Sequence, residues 1–241
     1  MPAELPVAGV IRDVDGIPVA GVRVLRAGEE LAISDAQGAF DLLLTTDADH
    51  TLTFAHPEYA PDHKPVRFEE GALGQHLSVV LTRRGALLVL DDAAAGGTLT
   101  GPLGGRVTFP ADALVNGAGE PVTGPVALRI SPVDFRRPLG RDSFPGSATA
   151  REAGGGDVEL ESFGVMDITF EDPDIRIAEG ARATIEIPLT AGNLSNGTTT
   201  PLWFLDPETG IWQEEGQGEV IRRGGNAYLR GEVAHFSWWN C

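Results

Sequence analysis

The sequence has few of the residues and segments on which several protein classes depend. It contains one cysteine in 241 residues, Cys241, which excludes an intrachain disulfide framework and a zinc site built on cysteines. No run of 18 apolar residues occurs, as a membrane-spanning helix would need. The start, MPAELPVAGV, lacks the basic and apolar regions of a signal peptide. The sequence therefore predicts neither a disulfide scaffold nor membrane insertion.

Basic residues are also scarce. Lysine and arginine total 18, with Lys64 the only lysine, against 35 aspartates and glutamates, and the formal net charge is −17. A chain this acidic repels phosphate backbones and anionic headgroups, which argues against a nucleic acid or a membrane surface as partner. Because the sequence ends just after an aromatic run, without a polar tail, we expect a segment excised from a longer protein. A thiol partner beyond the segment or in another chain stays open.

Helical periodicity is nearly absent, whereas turn residues are frequent. Glycine (31) and proline (17) are spread evenly, and the apolar runs between them are short and β-branched. This pattern is typical of an all-β protein. We predict an all-β chain of two β-sandwich domains in series, residues 1–84 and 85–241, joined at Arg83–Gly85 without a flexible linker. The predicted tight turns are Asp13–Gly16, Asp35–Gly38 and Asp206–Gly210 (DPETG), and the predicted strands include Arg106–Phe109 and Val165–Phe170.

Residues 1–84 carry a family resemblance. The stretch VAGVIRDVDGIPVAGVRV, followed by SDAQGAFDL, resembles the carboxypeptidase regulatory-like domain, a transthyretin-like β-sandwich of seven strands. The matching positions are Gly9, Gly16, Pro18, Gly21, Val22, Asp35, Gly38 and Phe40. The resemblance implies a non-catalytic accessory module of extracellular or surface proteins, because the family's peptidase activity belongs to a separate domain.

Residues 100–241 carry a second resemblance. The stretches VTFPADAL, LESFGVMDITF, PLWFLDPETGIW and HFSWWNC are similar to a β-rich module that follows transthyretin-like domains. That module occurs in bacterial surface proteins and, more distantly, in cartilage intermediate layer proteins. The resemblance implies an extracellular or cell-surface location, with other domains of a larger surface protein or assembly as partners.

The triplet His235-Phe236-Ser237 is the candidate for chemistry. It is similar to the self-cleavage site of nucleoporin-type autoproteolytic domains. Ser237 would attack the carbonyl of Phe236 while His235 takes the proton, and water would then hydrolyse the ester. The alternative is a closing strand from Val233 to Trp239, with Val233, His235, Ser237 and Trp239 on one face. We favour the strand and predict that the chain is not an enzyme, since no other catalytic motif is present.

Two binding hypotheses also follow from the residues. In MDITFEDPD, Asp167, Thr169 and Glu171 share a strand face that we expect to be solvated. We expect no cofactor. In the alternative, the carboxylate oxygens of Glu171, Asp172 and Asp174, at the end of this strand and in the turn after it, bind a calcium ion. Carbohydrate binding through exposed tryptophans is the other possibility, and the candidates are Trp203, Trp212, Trp238 and Trp239.

The sequence thus favours a non-catalytic structural, adhesion or docking module of a larger extracellular or cell-surface protein. Other domains of that protein or assembly are the expected partners, and a protein or carbohydrate ligand is a further candidate. The alternatives are a domain that cleaves itself between Phe236 and Ser237, and an accessory module that binds calcium or carbohydrate.

Overall fold

The computed structural model describes residues 3–241, and its first seven strands form two sheets around one core. The first sheet has the order β4-β1-β7, and the second has the order β3-β2-β5-β6. The strands are β1 Glu4–Asp13, β2 Arg23–Arg26, β3 Glu29–Ile33, β4 Ala39–Thr45, β5 His50–His56, β6 Tyr59–Val66 and β7 Gln75–Leu81.

The alternation of apolar residues positions these two sheets. Phe40, Leu42 and Leu44 are buried on one face of β4, as the period of two predicts. The Phe40 ring meets Phe54 of the other sheet edge-to-face, with 5.5 Å between the ring centroids. The strands therefore close over a shared apolar core. The transthyretin-like identity of this part stays a prediction.

Two turns in this part have the same construction. In each, the aspartate side chain accepts hydrogen bonds from the backbone N–H groups two and four residues later. Asp13 ends β1 in this way and Asp35 precedes β4. The glycine three residues after each aspartate, Gly16 or Gly38, has a positive φ, 82° or 73°, which favours glycine. The predicted turn at Asp13–Gly16 is confirmed.

The remaining strands belong mainly to one large sheet. Its path runs β8-β12-β15-β21-β18-β19-β20-β17-β10-β9, with β13 and β14 attached at β19, while β11 and β16 form a separate pair. The strands are β8 Leu88–Leu90, β9 Gly97–Thr100, β10 Arg106–Phe109, β11 Leu114–Val115, β12 Val126–Pro132, β13 Thr149–Arg151, β14 Asp157–Glu159, β15 Val165–Phe170, β16 Arg176–Ile177, β17 Ala183–Pro188, β18 Thr199–Asp206, β19 Ile211–Arg223, β20 Asn226–Val233 and β21 Trp238–Asn240.

This sheet curls back on itself, and the second sandwich that the sequence predicts stays a prediction. Its two end strands, β8 and β9, contact each other, so the sheet is nearly closed in the manner of a barrel. Met166, Ile185, Leu229 and Trp239 are buried in its interior. The all-β class is confirmed. Alternating apolar residues indicate a buried face, but they do not distinguish one curled sheet from two stacked sheets.

The predicted closing strand Val233–Trp239 is wrong. β20 ends at Val233, residues 234–237 bend, and β21 begins at Trp238. β20 lies between β17 and β19, whereas β21 lies between β15 and β18. The chain therefore changes its place in the sheet at the bend, and His235 and Ser237 lie in the bend instead of on a strand face.

Cys241 is buried, with 3% of its surface exposed, and packs in the core of the large sheet. Its thiol lies 3.6 Å from the Gly164 carbonyl oxygen. Burial raises the pKa of the thiol to about 12, because the thiolate loses its hydration. Pairing with another chain, which the sequence leaves open, would first require this end of the sheet to open.

Helical structure is confined, within residues 3–241, to one 3-10 turn at Pro102–Gly104. In that range no helix is long and apolar enough to cross a membrane.

Candidate functional site

A hydrophobic cluster joins the two parts of the chain, and we call this interface the seam. Ala60, from β6, is the member from the first part. The buried members from the second part are Val133, Ala150, Val165, Trp203, Leu205, Trp212 and Trp238. The seam is thus a third core, distinct from the cores of the two parts.

Tryptophan side chains dominate the seam, and one of them forms a hydrogen bond across it. Trp238 donates its indole N–H to the Pro61 carbonyl oxygen of the first part at 2.6 Å. Trp212 is fully buried and donates to the Pro145 carbonyl oxygen at 3.2 Å. All four tryptophans are at most 7% exposed. None of them forms the exposed platform that the carbohydrate hypothesis requires.

The only lysine also lies at the seam. The Lys64 ammonium donates to the carbonyl oxygens of Phe144 and Gly146 at 2.8 and 3.0 Å, and lies 3.1 Å from Asp62 Oδ2. Asp62, which is buried, accepts the backbone N–H of Gly146 at 2.9 Å. Lys64 donates hydrogen bonds to the loop around Phe144–Gly146 and Asp62 accepts one from it. The pair therefore holds this loop against β6.

The tip of the hairpin between β18 and β19 touches the same strand. Asp206 accepts the backbone N–H of Glu208 and the hydroxyl of Thr209, which confirms the turn predicted from DPETG. A Cβ atom at Gly210 would lie 2.8 Å from the His63 carbonyl oxygen and 2.9 Å from Pro65 Cδ. Only glycine permits this approach of the hairpin to β6.

The chain between the two parts is fixed as well. The Gly85 N–H donates to Ser131 Oγ at 3.2 Å, and Arg129 donates to the Gly85 carbonyl oxygen at 2.9 Å. On the far side, Arg137 pairs with Asp15. The junction at Arg83–Gly85 is therefore bonded structure, as the absence of a linker composition predicts. The domain boundary at residue 84 itself stays a prediction.

A groove of about 460 Å³ lies beside the seam and contains the predicted triplet. Its walls come from both parts of the chain. Ala234–Trp238 form one side, Asp167–Phe170 of β15 form another, and Pro61 and His63 close it from the first part. The groove therefore places two histidines, a serine and an aspartate around one space.

The triplet lacks the His235–Ser237 hydrogen bond that the self-cleavage hypothesis requires. Ser237 Oγ donates to the Leu205 carbonyl oxygen at 2.8 Å. His235 Nε2 instead lies 3.3 Å from Glu215 Oε2, and its ring packs against Phe204 and Trp239. Across residues 3–241 no hydrogen bond joins His235 to Ser237. Because a general base must reach the hydroxyl that it deprotonates, this arrangement does not supply the proposed proton transfer.

Asp167 has the most perturbed environment in the groove. It is 3% exposed, and burial raises the pKa of its carboxyl to about 7, because the charged form loses its hydration. The Thr169 hydroxyl, 3.0 and 2.9 Å from the two carboxyl oxygens, opposes this shift, as does the charge of Arg84. The expectation of a solvated face at Asp167 is therefore wrong.

The three candidate calcium ligands are exposed and engaged separately. Glu171 pairs with Arg129 at 2.6 Å, and Asp172 Oδ1 accepts the backbone N–H of Asp174 at 2.9 Å. In the described part of the chain, no group of three or more acidic, histidine or cysteine side chains is placed to hold a metal ion. The fold does not bring Glu171, Asp172 and Asp174 together as a ligand set.

Sequence reasoning did not predict that Asp167 is buried or that Lys64 forms hydrogen bonds across the seam. The composition of the chain does mark Lys64, because it is the only lysine among the 18 basic residues. No local signal marks Asp167, because the strand pattern gives it the same face as the exposed Glu171.

Comparison with known proteins gives distant relatives. No family model matches the chain. Over 211 residues the chain is 24% identical to cartilage intermediate layer protein 2 of Mus musculus, covering 83% of this chain and 18% of that protein. It is 25% identical over 260 residues to the protein of the same name in Homo sapiens, covering 95% and 22%. The chain thus spans about a fifth of the length of these curated relatives.

Solved structures give only weak likenesses. Two crystal structures of BcpA, the major pilin subunit of Bacillus cereus, align with 99% of this chain at TM-scores of 0.28 and 0.27 and 11% and 10% identity. TM-scores this low do not establish a shared fold. The predicted similarity to cartilage intermediate layer proteins thus has support from sequence, whereas the carboxypeptidase regulatory-like resemblance stays a prediction.

Proposed function

We propose that this chain is a non-catalytic structural and docking module of a larger extracellular or cell-surface protein. In this proposal the two parts act as one rigid body and present loops and strand edges to other domains or to a protein partner. The observation that carries it is the seam, where Trp238, Lys64 and Gly210 fix β6 and its flank against the second part.

The distant likeness to cartilage intermediate layer protein 2 also supports this role, since this chain matches a limited segment of a much longer protein. A segment of that kind is expected to work beside other domains. We infer the extracellular or surface location from the same likeness. The proposal includes no cofactor and no enzymatic activity.

Rigidity is the measurable part of the proposal. Residual dipolar couplings of backbone amides in β1–β7 and in β8–β21 are expected to fit one common alignment tensor, because the seam leaves no free hinge. Two tensors of clearly different magnitude or orientation would show independent motion of the parts. That result would contradict a rigid module.

Self-cleavage is the rival hypothesis, and a measurement of intact mass distinguishes it from the non-catalytic module. We expect purified protein to keep one species at its full mass during prolonged incubation, because Ser237 donates to the Leu205 carbonyl oxygen and His235 pairs with Glu215 instead of with Ser237. A Ser237→Ala variant serves as the matched control, since it cannot cleave. The appearance of a species shortened by residues 237–241 in the natural protein, and not in this variant, would establish autoproteolysis.

A further inference from the structure

The edge of β15 that faces the groove is only partly paired. The Glu171 N–H donates to the Ala127 carbonyl oxygen of the β12 side at 3.0 Å, and Thr169 lies opposite Arg129 of β12. The N–H and carbonyl groups of successive residues in a strand point to opposite sides. Those of Ile168 and Phe170 therefore point away from β12, toward the groove. On that side Ile168 N–H donates to the Ser237 carbonyl oxygen at 3.2 Å.

The pairing stops after this bond. β21 pairs with β15 from Val165 to Asp167 only, because the chain bends away at residues 234–237. Phe170, two residues beyond Ile168, faces the same side but lies outside the pairing with β21, and among residues 3–241 no backbone hydrogen bond joins it to a residue outside the strands. An unpaired strand edge of this kind is a template for another extended chain.

The space in front of this edge is the groove itself, and its lining is mainly apolar. Phe236 stacks on Phe170 with 5.0 Å between the ring centroids. Ile175 and Ile177 line the groove from the loop and strand that follow β15. A strand added here would direct every second side chain toward these residues, where an apolar side chain is favoured.

The charge around the groove indicates which side chains such a strand would carry at its alternate positions. Asp172 and Asp174 are exposed on either side of Pro173, which lines the groove. Glu171 beside them pairs with Arg129, and the whole chain has a net charge of −17. Arg176 is the arginine that lines the groove, and it also donates to the Gly117 carbonyl oxygen at 3.3 Å. Basic side chains therefore complement this rim, and the net charge speeds the approach of a basic partner.

We propose that the open edge of β15 binds an extended segment of a partner protein, in which apolar and basic residues alternate, as an added strand. This inference deepens the docking role proposed above and rests on it. The backbone of Phe170 supplies the strand pairing, the apolar lining takes one set of side chains and the acidic rim faces the other set.

The test uses the whole chain and a short capped peptide of alternating valine and lysine. We expect the peptide to shift the Phe170 amide resonance and to slow its hydrogen exchange at least about 10-fold, because the amide gains an acceptor. A peptide of alternating valine and glutamate is expected to bind at least about 10-fold more weakly. Added salt should reduce this difference.

A groove variant controls for binding elsewhere. Ala234 is exposed and lines the groove, so Ala234→Trp should fill the groove and abolish the effect on Phe170, whereas Ala234→Ser should retain it. Melting temperatures close to that of the natural protein verify that both variants fold. Binding that is unaffected by Ala234→Trp, or equal for the two peptides, would overturn the inference.

Two further results would also overturn it. If protection of Phe170 appears without peptide and grows with protein concentration, the occupant is a second copy of this chain. If the Phe170 amide does not respond to the lysine peptide while the dipolar couplings still fit one tensor, this inference fails and the rigid module stands.

Discussion

Replacing Asp167 by asparagine is expected to stabilise the protein by roughly 4 kcal/mol at about pH 8 and to change its stability little below about pH 4. The pKa of the carboxyl rises from 3.8 to about 7 on folding, and each unit corresponds to about 1.36 kcal/mol. The folded state then holds a proton that the unfolded state has released, so stability falls as the pH rises from about 4 to 7. Asparagine has no charge to desolvate, and the variant should lose this part of the pH dependence.

The measurement is the free energy of unfolding by guanidinium at several pH values for the natural protein and the variant. Asp172→Asn is the matched control, because Asp172 is exposed and its replacement should have an effect within about 0.5 kcal/mol. Parallel pH profiles for the natural protein and Asp167→Asn would show that Asp167 is already solvated and charged in the folded state.

Replacing Trp238 by alanine is expected to cost about 3–5 kcal/mol, the range for truncating a buried large side chain, and to separate the unfolding of the two parts. Trp238 is 3% exposed in the seam, and its indole bonds to Pro61 of the first part. Without it the seam loses this hydrogen bond to the first part and the packing of the indole ring. We expect one unfolding transition in the natural protein and two in the variant, because the two remaining cores differ in size.

The neighbouring tryptophan provides the control for this experiment. Trp239 is also buried, but its side chain lies on the opposite face of β21, in the core of the large sheet. Trp239→Ala should cost a similar free energy by destabilising the second part, but because the seam is intact the two parts should still unfold in one transition. Trp238→Phe, which keeps a ring and loses the donor, should be milder than Trp238→Ala. A single transition in Trp238→Ala would mean that the seam does not couple the parts.

Local features of the fold were predictable from the sequence. The strand bounds 106–109 and 165–170 match the structure, and the aspartate turns at Asp13 and Asp35 form as their residues indicate. These features depend on contacts between near neighbours in the chain. Turn chemistry and the alternation of apolar residues record such contacts directly.

The arrangement of distant segments was not predictable in the same way. The alternation in VAHFSWW is the same for a straight strand and for a bend followed by a new strand, and only the pairing of β21 with β15 and β18 decides between them. Asp167 shows the same limit. It alternates like the exposed Glu171, but Trp238 lies opposite it in β21, some 70 residues away in sequence, and no local pattern reports such a neighbour.

The position of Lys64 has a consequence for amine chemistry. Reagents that acylate or cross-link lysine find one target in these 241 residues, and its ammonium is engaged by Phe144, Gly146 and Asp62 at the contact between the parts. Lysine cross-linking will therefore leave the closed molecule largely unmarked on its outer surface. The rate at which Lys64 reacts then reports how often the two parts separate.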